Sequence, residues 1–121
     1  MLHFEIQEFS CPSHPNSGIN MDNAFLQMLD DARGIAGIPF NITSGYRTKE
    51  RNKLVGGVAN SSHLVGKAAD ISVQSGNERY IIINALIKAG FKRIGVAKTF
   101  IHCDNDSLEQ GGTKPNSIWT Y

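Results

Sequence analysis

Apolar residues along this chain change period several times, and each change marks an element. In residues 21–36 the positions Met21, Phe25, Leu26, Met28, Leu29, Ala32, Ile35 and Ala36 recur at three- and four-residue steps, the spacing of one helical face. Asp22 near the start suits the helix dipole, and Gly37 and Pro39 end the run. A second long helix is predicted over residues 77–89, carrying Tyr80, Ile81, Ile83, Ala85, Leu86 and Ile87 and stopping at Gly90. Between them the period falls to two: residues 67–74 put Ala69, Ile71 and Val73 on one face and Asp70, Ser72 and Gln74 on the other. Further strands are expected at residues 40–43, 93–96, 99–104 and 117–121, with a short helix at 48–54. Residues 2–9 alternate weakly and read as an arm, followed by a loop of turn formers, Cys11, Pro12, Pro15, Asn16 and Gly18. A Gly, Asn and Ser loop over residues 56–62 is long enough to carry a site. No internal repeat appears. Two long helices among short strands with brief connections predict an α+β domain, an antiparallel sheet with helices packed on one face. The 121 residues fit one domain, residues 1–121.

Charge narrows the function. Twelve Lys and Arg stand against eleven Asp and Glu, a net charge of +1. No basic cluster is available to release counterions from nucleic acid, so no nucleic-acid partner is expected. The longest apolar stretch, residues 80–83, falls far short of the roughly 20 residues that span a bilayer. No basic, apolar, small-residue leader opens the sequence, so synthesis in the cytoplasm without a signal peptide is expected, with no membrane partner. Cys11 and Cys103 are too few for a disulfide framework and read as free thiols.

The candidate chemistry lies in the histidines. His63 ends the loop before the strand at residues 67–74, Gly66 allows a sharp turn after it, and Asp70 follows on the polar face of that strand. In residues 100–104, Phe100, His102 and Asp104 share one face, Ile101 and Cys103 the other. If these two strands pair antiparallel with their apolar faces on the helices, Asp70 and His102 project onto one exposed face and His63 folds back toward them. Two imidazoles and a carboxylate suit zinc, which keeps an open position in catalytic sites. There it polarises a carbonyl and activates water for amide hydrolysis. The residues alone also admit a plainer arrangement: a loop histidine, a capping or ion-paired aspartate and a hydrogen-bonded strand histidine. Cys11 and His14 are two groups where a closed structural zinc site needs four, so residues 11–14 read as a surface loop.

Three ordered motifs carry a family resemblance. Thr43, Ser44, Gly45, Tyr46, Arg47 and Thr48, with the Gly56 and Gly57 pair, come first. Ser61, Ser62, His63, Leu64, Val65, Gly66, Lys67, Ala68, Ala69 and Asp70 follow, and Ile101, His102, Cys103 and Asp104 close the set. Together, over residues 9–104, they resemble the D-alanyl-D-alanine carboxypeptidase family of zinc peptidases, above all its small phage-type members that cut peptidoglycan. The resemblance implies the zinc scaffold shared with hedgehog signalling domains, with Zn2+ held by His63, Asp70 and His102. It places Arg47 and Ser61 against the substrate. A guanidinium can grip a carboxylate by two parallel hydrogen bonds; the alternatives are an Arg47 pair with Glu50 and a turn serine bonded to its own backbone. The implied activity is hydrolysis of stem peptides at the bacterial cell wall by a monomeric, endolysin-like enzyme. It would act as an L-Ala-D-Glu endopeptidase or a D-Ala-D-Ala carboxypeptidase.

The sequence departs from its relatives at the general base. Several branches have Glu or His three to six residues before the last ligand, where this chain has Val96, Ala97, Lys98 and Thr99. The nearest acid, Asp104, stands about 6.6 Å along the strand from His102 by strand rise. It is expected to be the catalytic base or to orient water, acting through the water rather than by a direct bond to His102. The departure leaves one rival open: a zinc-stabilised binding module that recognises cell-wall peptide or a protein partner without cutting it.

Overall fold

Capping residues set where the helices begin. The computed structural model describes residues 1–121, and in it Asp22 Oδ2 accepts from the backbone N of Phe25 at 2.9 Å. Helix α1 therefore spans Asn23–Ala36, and Gly37 closes it in the left-handed region at φ 69°. Met21, expected inside the helix, is extended and enters the core from outside it. Strand β1 is Ile42–Ser44, and the short helix α2, Lys49–Leu54, is capped by Thr48. Strand β2 is Ala68–Ser72, and Ser75 caps helix α3, Gly76–Lys88. Strands β3 (Arg93–Val96), β4 (Phe100–Asp104) and β5 (Ser117–Thr120) follow. Residues 2–9, read as an arm, are tied down onto the domain. Ile6–Phe9 form a 3-10 turn, Phe4 and Phe9 bury their rings, and Asp30 accepts from the backbone N atoms of Leu2 and His3. No helix is long and apolar enough to cross a membrane.

The five strands lie in the order β1, β2, β4, β3, β5. Three neighbouring pairs are antiparallel, and β5 runs parallel to β3. The connection explains that exception to the expected antiparallel sheet. β4 ends beside the start of β3, residues 105–116 stay at that end, and β5 sets off from there in the direction of β3. Helices α1 and α3 pack on one face, where Phe25, Leu29, Ile82, Leu86, Ile71, Ile94, Ile101 and Cys103 form the core with almost no exposure. Cys11 and Cys103 are both free and buried. The α+β class with helices on one face is therefore as the periodicity indicated.

Pairing also fixes a row of residues on the face away from the helices. Ser44 lies opposite Asp70, Asp70 opposite His102, His102 opposite Gly95, and Gly95 opposite Trp119. Side chains on one face recur every second residue, so Asp104 and Arg93 sit beside this row and Phe100 lies on its other side. The register sets Asp70 directly opposite His102, and their expected shared face is present. The expected exposure is not: Asp70, His102 and Asp104 are 8%, 7% and 1% exposed. Residues 55–63 and 114–121, remote in sequence, contribute the far wall of the cleft over this face.

Candidate metal centre

His63 reaches the row from a 3-10 turn, Ser62–Val65, which Ser61 caps by accepting from the backbone N of His63 at 3.2 Å. Gly66 ends the turn at φ 70°, where a side chain would also run into the backbone of Asn20 and Met21. The buried His63 ring then points Nε2 at Asp70 Oδ1, 3.3 Å away. From the neighbouring strand His102 brings Nδ1 to 3.0 Å from the same oxygen.

The remote nitrogens assign both tautomers. His63 Nδ1 donates to the Gly45 carbonyl at 2.7 Å, and His102 Nε2 donates to Asp104 Oδ2 at 2.7 Å. Neither acceptor can give a proton back, so the lone pairs of the neutral rings lie at His63 Nε2 and His102 Nδ1. With the rings neutral, those lone pairs and Asp70 Oδ1 meet with no donor among them; a metal ion satisfies the meeting, and so does a proton taken up by a ring, which then donates to Asp70. The donor atoms all lie within 4.8 Å of one another. A tetrahedral zinc with bonds near 2.0 Å separates its ligands by about 3.3 Å, so the spacing as well as the chemistry of the set fits zinc. Imidazoles braced through their other nitrogen by a carbonyl and a carboxylate are the usual setting of metal-binding histidines.

Charge follows the same arrangement. Burial works to raise the Asp70 carboxyl, but hydrogen bonds and charge from His102 and His63 outweigh it and hold the group well below the usual carboxylate range. Burial works to lower the His102 imidazole, and its bonds to Asp104 and Asp70 raise it instead. Asp104 is held low against its burial by His102, the backbone N of Asp106 and Arg93.

Asp104 is placed differently from expectation. Its Oδ2 bonds His102 directly, while Oδ1 accepts from Arg93 Nε at 2.9 Å and from the backbone N of Asp106 at 3.0 Å. The strand rise separates backbones by the expected amount, but the His102 ring lies along the strand and closes the gap. With both oxygens engaged behind the ring, Asp104 does not face the meeting point of the three donors.

Arg47 pairs with Asp70, not Glu50. Its Nη2 donates to Asp70 Oδ2 at 3.4 Å, its Nε to Ser44 Oγ at 3.1 Å and its Nη1 to Asn52 Oδ1 at 3.2 Å. Asn52, buried on α2, also donates to the Val58 carbonyl at 2.9 Å and so ties the glycine loop to the arginine. Sequence reading passed over Asn52, because a single amide on a short helix carries no periodic signal. It also passed over Arg93, Lys114, Trp119 and Tyr121, which line the cleft with Arg47, Ser61, His63, Asp70 and His102. Lys114 donates to the Asn60 carbonyl and to Ser62 Oγ, so it joins the last loop to the turn that carries His63. The cleft holds about 410 Å3, the size of a small-ligand site.

A buried His, Asp, His set on the sheet face away from the helices makes this a candidate metal-binding α+β domain. A family profile described as peptidase M15 matches residues 2–104. The chain belongs to the peptidase M15 family of zinc-dependent metallopeptidases, as its motifs indicated. No curated protein matches the chain significantly.

Proposed function

We propose that this chain is a zinc peptidase that cuts peptidoglycan stem peptides, either between L-Ala and D-Glu or before a terminal D-Ala. The observation that carries the reading is the convergence of His63 Nε2, Asp70 Oδ1 and His102 Nδ1 in a cleft that also contains Arg47. In this reading His63, Asp70 and His102 hold the ion, which when bound polarises the scissile carbonyl and lowers the pKa of water. Asp104 keeps the proton of His102 on Nε2 and thereby keeps Nδ1 free as a ligand. Ser61 accepts from the His63 backbone and retains its own hydroxyl proton for the substrate.

Arg47 has five N–H groups, and its three bonds leave one on Nη1 and one on Nη2. That remaining pair suits a two-pronged grip on a substrate carboxylate. Arg47→Ala is expected to lose activity mainly on substrates that bear the carboxylate, and Arg47→Lys to recover only part of it. Rates on free-acid and amidated substrates, measured side by side, check this; equal losses on both would remove Arg47 from substrate recognition.

One observation favours a second reading. The cleft contains no carboxylate besides Asp70 and Asp104, and both Asp104 oxygens are engaged. A module that binds stem peptide around zinc without cutting it accommodates that arrangement. Incubation with peptidoglycan, with and without a chelator, followed by mass spectrometry separates the two. New termini that vanish with the chelator are expected; binding without new termini leaves the module.

A further inference from the structure

The cleft has two ends of different chemistry. At the β1 end Arg47 is fixed to Ser44 and Asp70. At the β5 end three aromatic rings stand together: Phe100 and Tyr121 have centroids 5.0 Å apart, Trp119 and Tyr121 6.5 Å. Trp119 lies over Gly95, where a Cβ would come within 2.7 Å of the indole nitrogen, and only the absence of a side chain there lets the ring lie so low. Its centroid is 5.3 Å from that of His102, and the Arg93 guanidinium sits 4.8 Å over it. These rings line the cleft instead of closing the core, and Tyr121 is 69% exposed. Both Trp119 and Tyr121 lie past residue 104, where the family match ends.

Resting on the peptidase reading, we infer that Trp119 and Tyr121 form a shelf for the sugar ring carried at the N-terminal end of the stem peptide. Direction supports this. Arg47 takes the carboxylate on the C-terminal side of the bond to be cut and is tied to Asp70 on β2, whereas the rings lie on the opposite flank of His102, over Gly95 on β3 and against Phe100 on β4. The N-terminal side of the substrate therefore runs toward the rings. Chemistry supports it as well: the first stem residue, alanine, has only a methyl group to offer. A pyranose presents a flat face of C–H groups that an aromatic ring matches in shape and polarity. Reach decides which bond benefits. One residue spans about 3.5 Å, so a single alanine and its lactyl link bring the sugar over the shelf when the L-Ala to D-Glu bond lies at the metal. For a terminal D-Ala bond the sugar lies about 10 Å further on, beyond the rings.

Trp119 is the single tryptophan, so its fluorescence reads the shelf directly. Zinc-loaded full-length protein is titrated with the N-acetylglucosaminyl-N-acetylmuramic acid disaccharide and, separately, with an L-Ala-D-Glu dipeptide that carries no sugar. A saturable change with the disaccharide at millimolar concentrations, larger than with the dipeptide, is expected; no saturable change, or an equal one, overturns the inference. In parallel, Tyr121→Ala and Trp119→Phe are each expected to raise KM for a sugar-bearing peptide roughly tenfold more than KM for the bare peptide. Equal losses on both substrates would assign the rings to peptide contact and overturn it too. If wild-type protein cuts neither substrate, the peptidase reading fails while the fluorescence titration still decides the shelf.

Discussion

His63→Ala and His102→Ala proteins are each expected to be isolated almost without zinc and to show only background hydrolysis. Each replacement removes one of three protein donors. If a bound structural zinc is worth about 10–16 kcal/mol over four ligands, one ligand accounts for roughly a hundred- to a thousandfold in affinity. Both variants also strand a braced partner. The Gly45 carbonyl loses its donor in the first, and the almost fully buried Asp104 loses one of its three in the second. The second is therefore expected to be the less stable, since an unsatisfied buried charge costs more than an unsatisfied carbonyl. Metal content by elemental analysis, read together with thermal unfolding, checks both points. Full zinc occupancy in either folded variant would refute the ligand assignment.

Asp104→Asn should give the second largest effect, for a reason visible in its partners. Donors face both carboxylate oxygens, His102 Nε2 on one and Arg93 Nε with the Asp106 backbone N on the other. An amide must turn its NH2 toward a donor whichever way it flips. Facing His102, it drives the ring proton to Nδ1 and removes a metal lone pair; facing Arg93, it breaks a buried pair. Zinc affinity is expected to fall about ten- to a hundredfold, with added zinc restoring much of the rate. Normal zinc affinity with turnover slowed about a hundred- to ten-thousandfold would instead make Asp104 the proton acceptor. Titration of activity against free zinc distinguishes these outcomes.

Much of this centre was legible in the chain because it depends on short-range pattern. Period-two alternation put Asp70 and His102 on the polar faces of their strands, and pairing those strands by their apolar faces put both on one face of the sheet. Gly66 marked the turn that returns His63. What stayed hidden depends on contacts remote in sequence. The face looked wet because each strand alternates by itself; nothing local says that residues 114–121 come back to cover it. The strand at residues 117–121 was expected, but without a partner its Trp119 and Tyr121 had no assigned face. The direct bond between Asp104 and His102 turns on a ring orientation that strand rise alone cannot supply.

The sheet order has a consequence for how the protein comes into being. β3 precedes β4 in the chain yet never touches β2, because β4 lies between them. During synthesis the two halves of the sheet have no shared edge until residues 100–104 leave the ribosome and insert as the central strand. Closing β2 against β4 also means closing a loop of the intervening residues, including all of α3, before any strand bond forms. Metal capture is thus a late event in the life of the nascent chain. His63 and Asp70 wait on the nascent chain for His102, and the three-ligand set is complete only once β4 is in place.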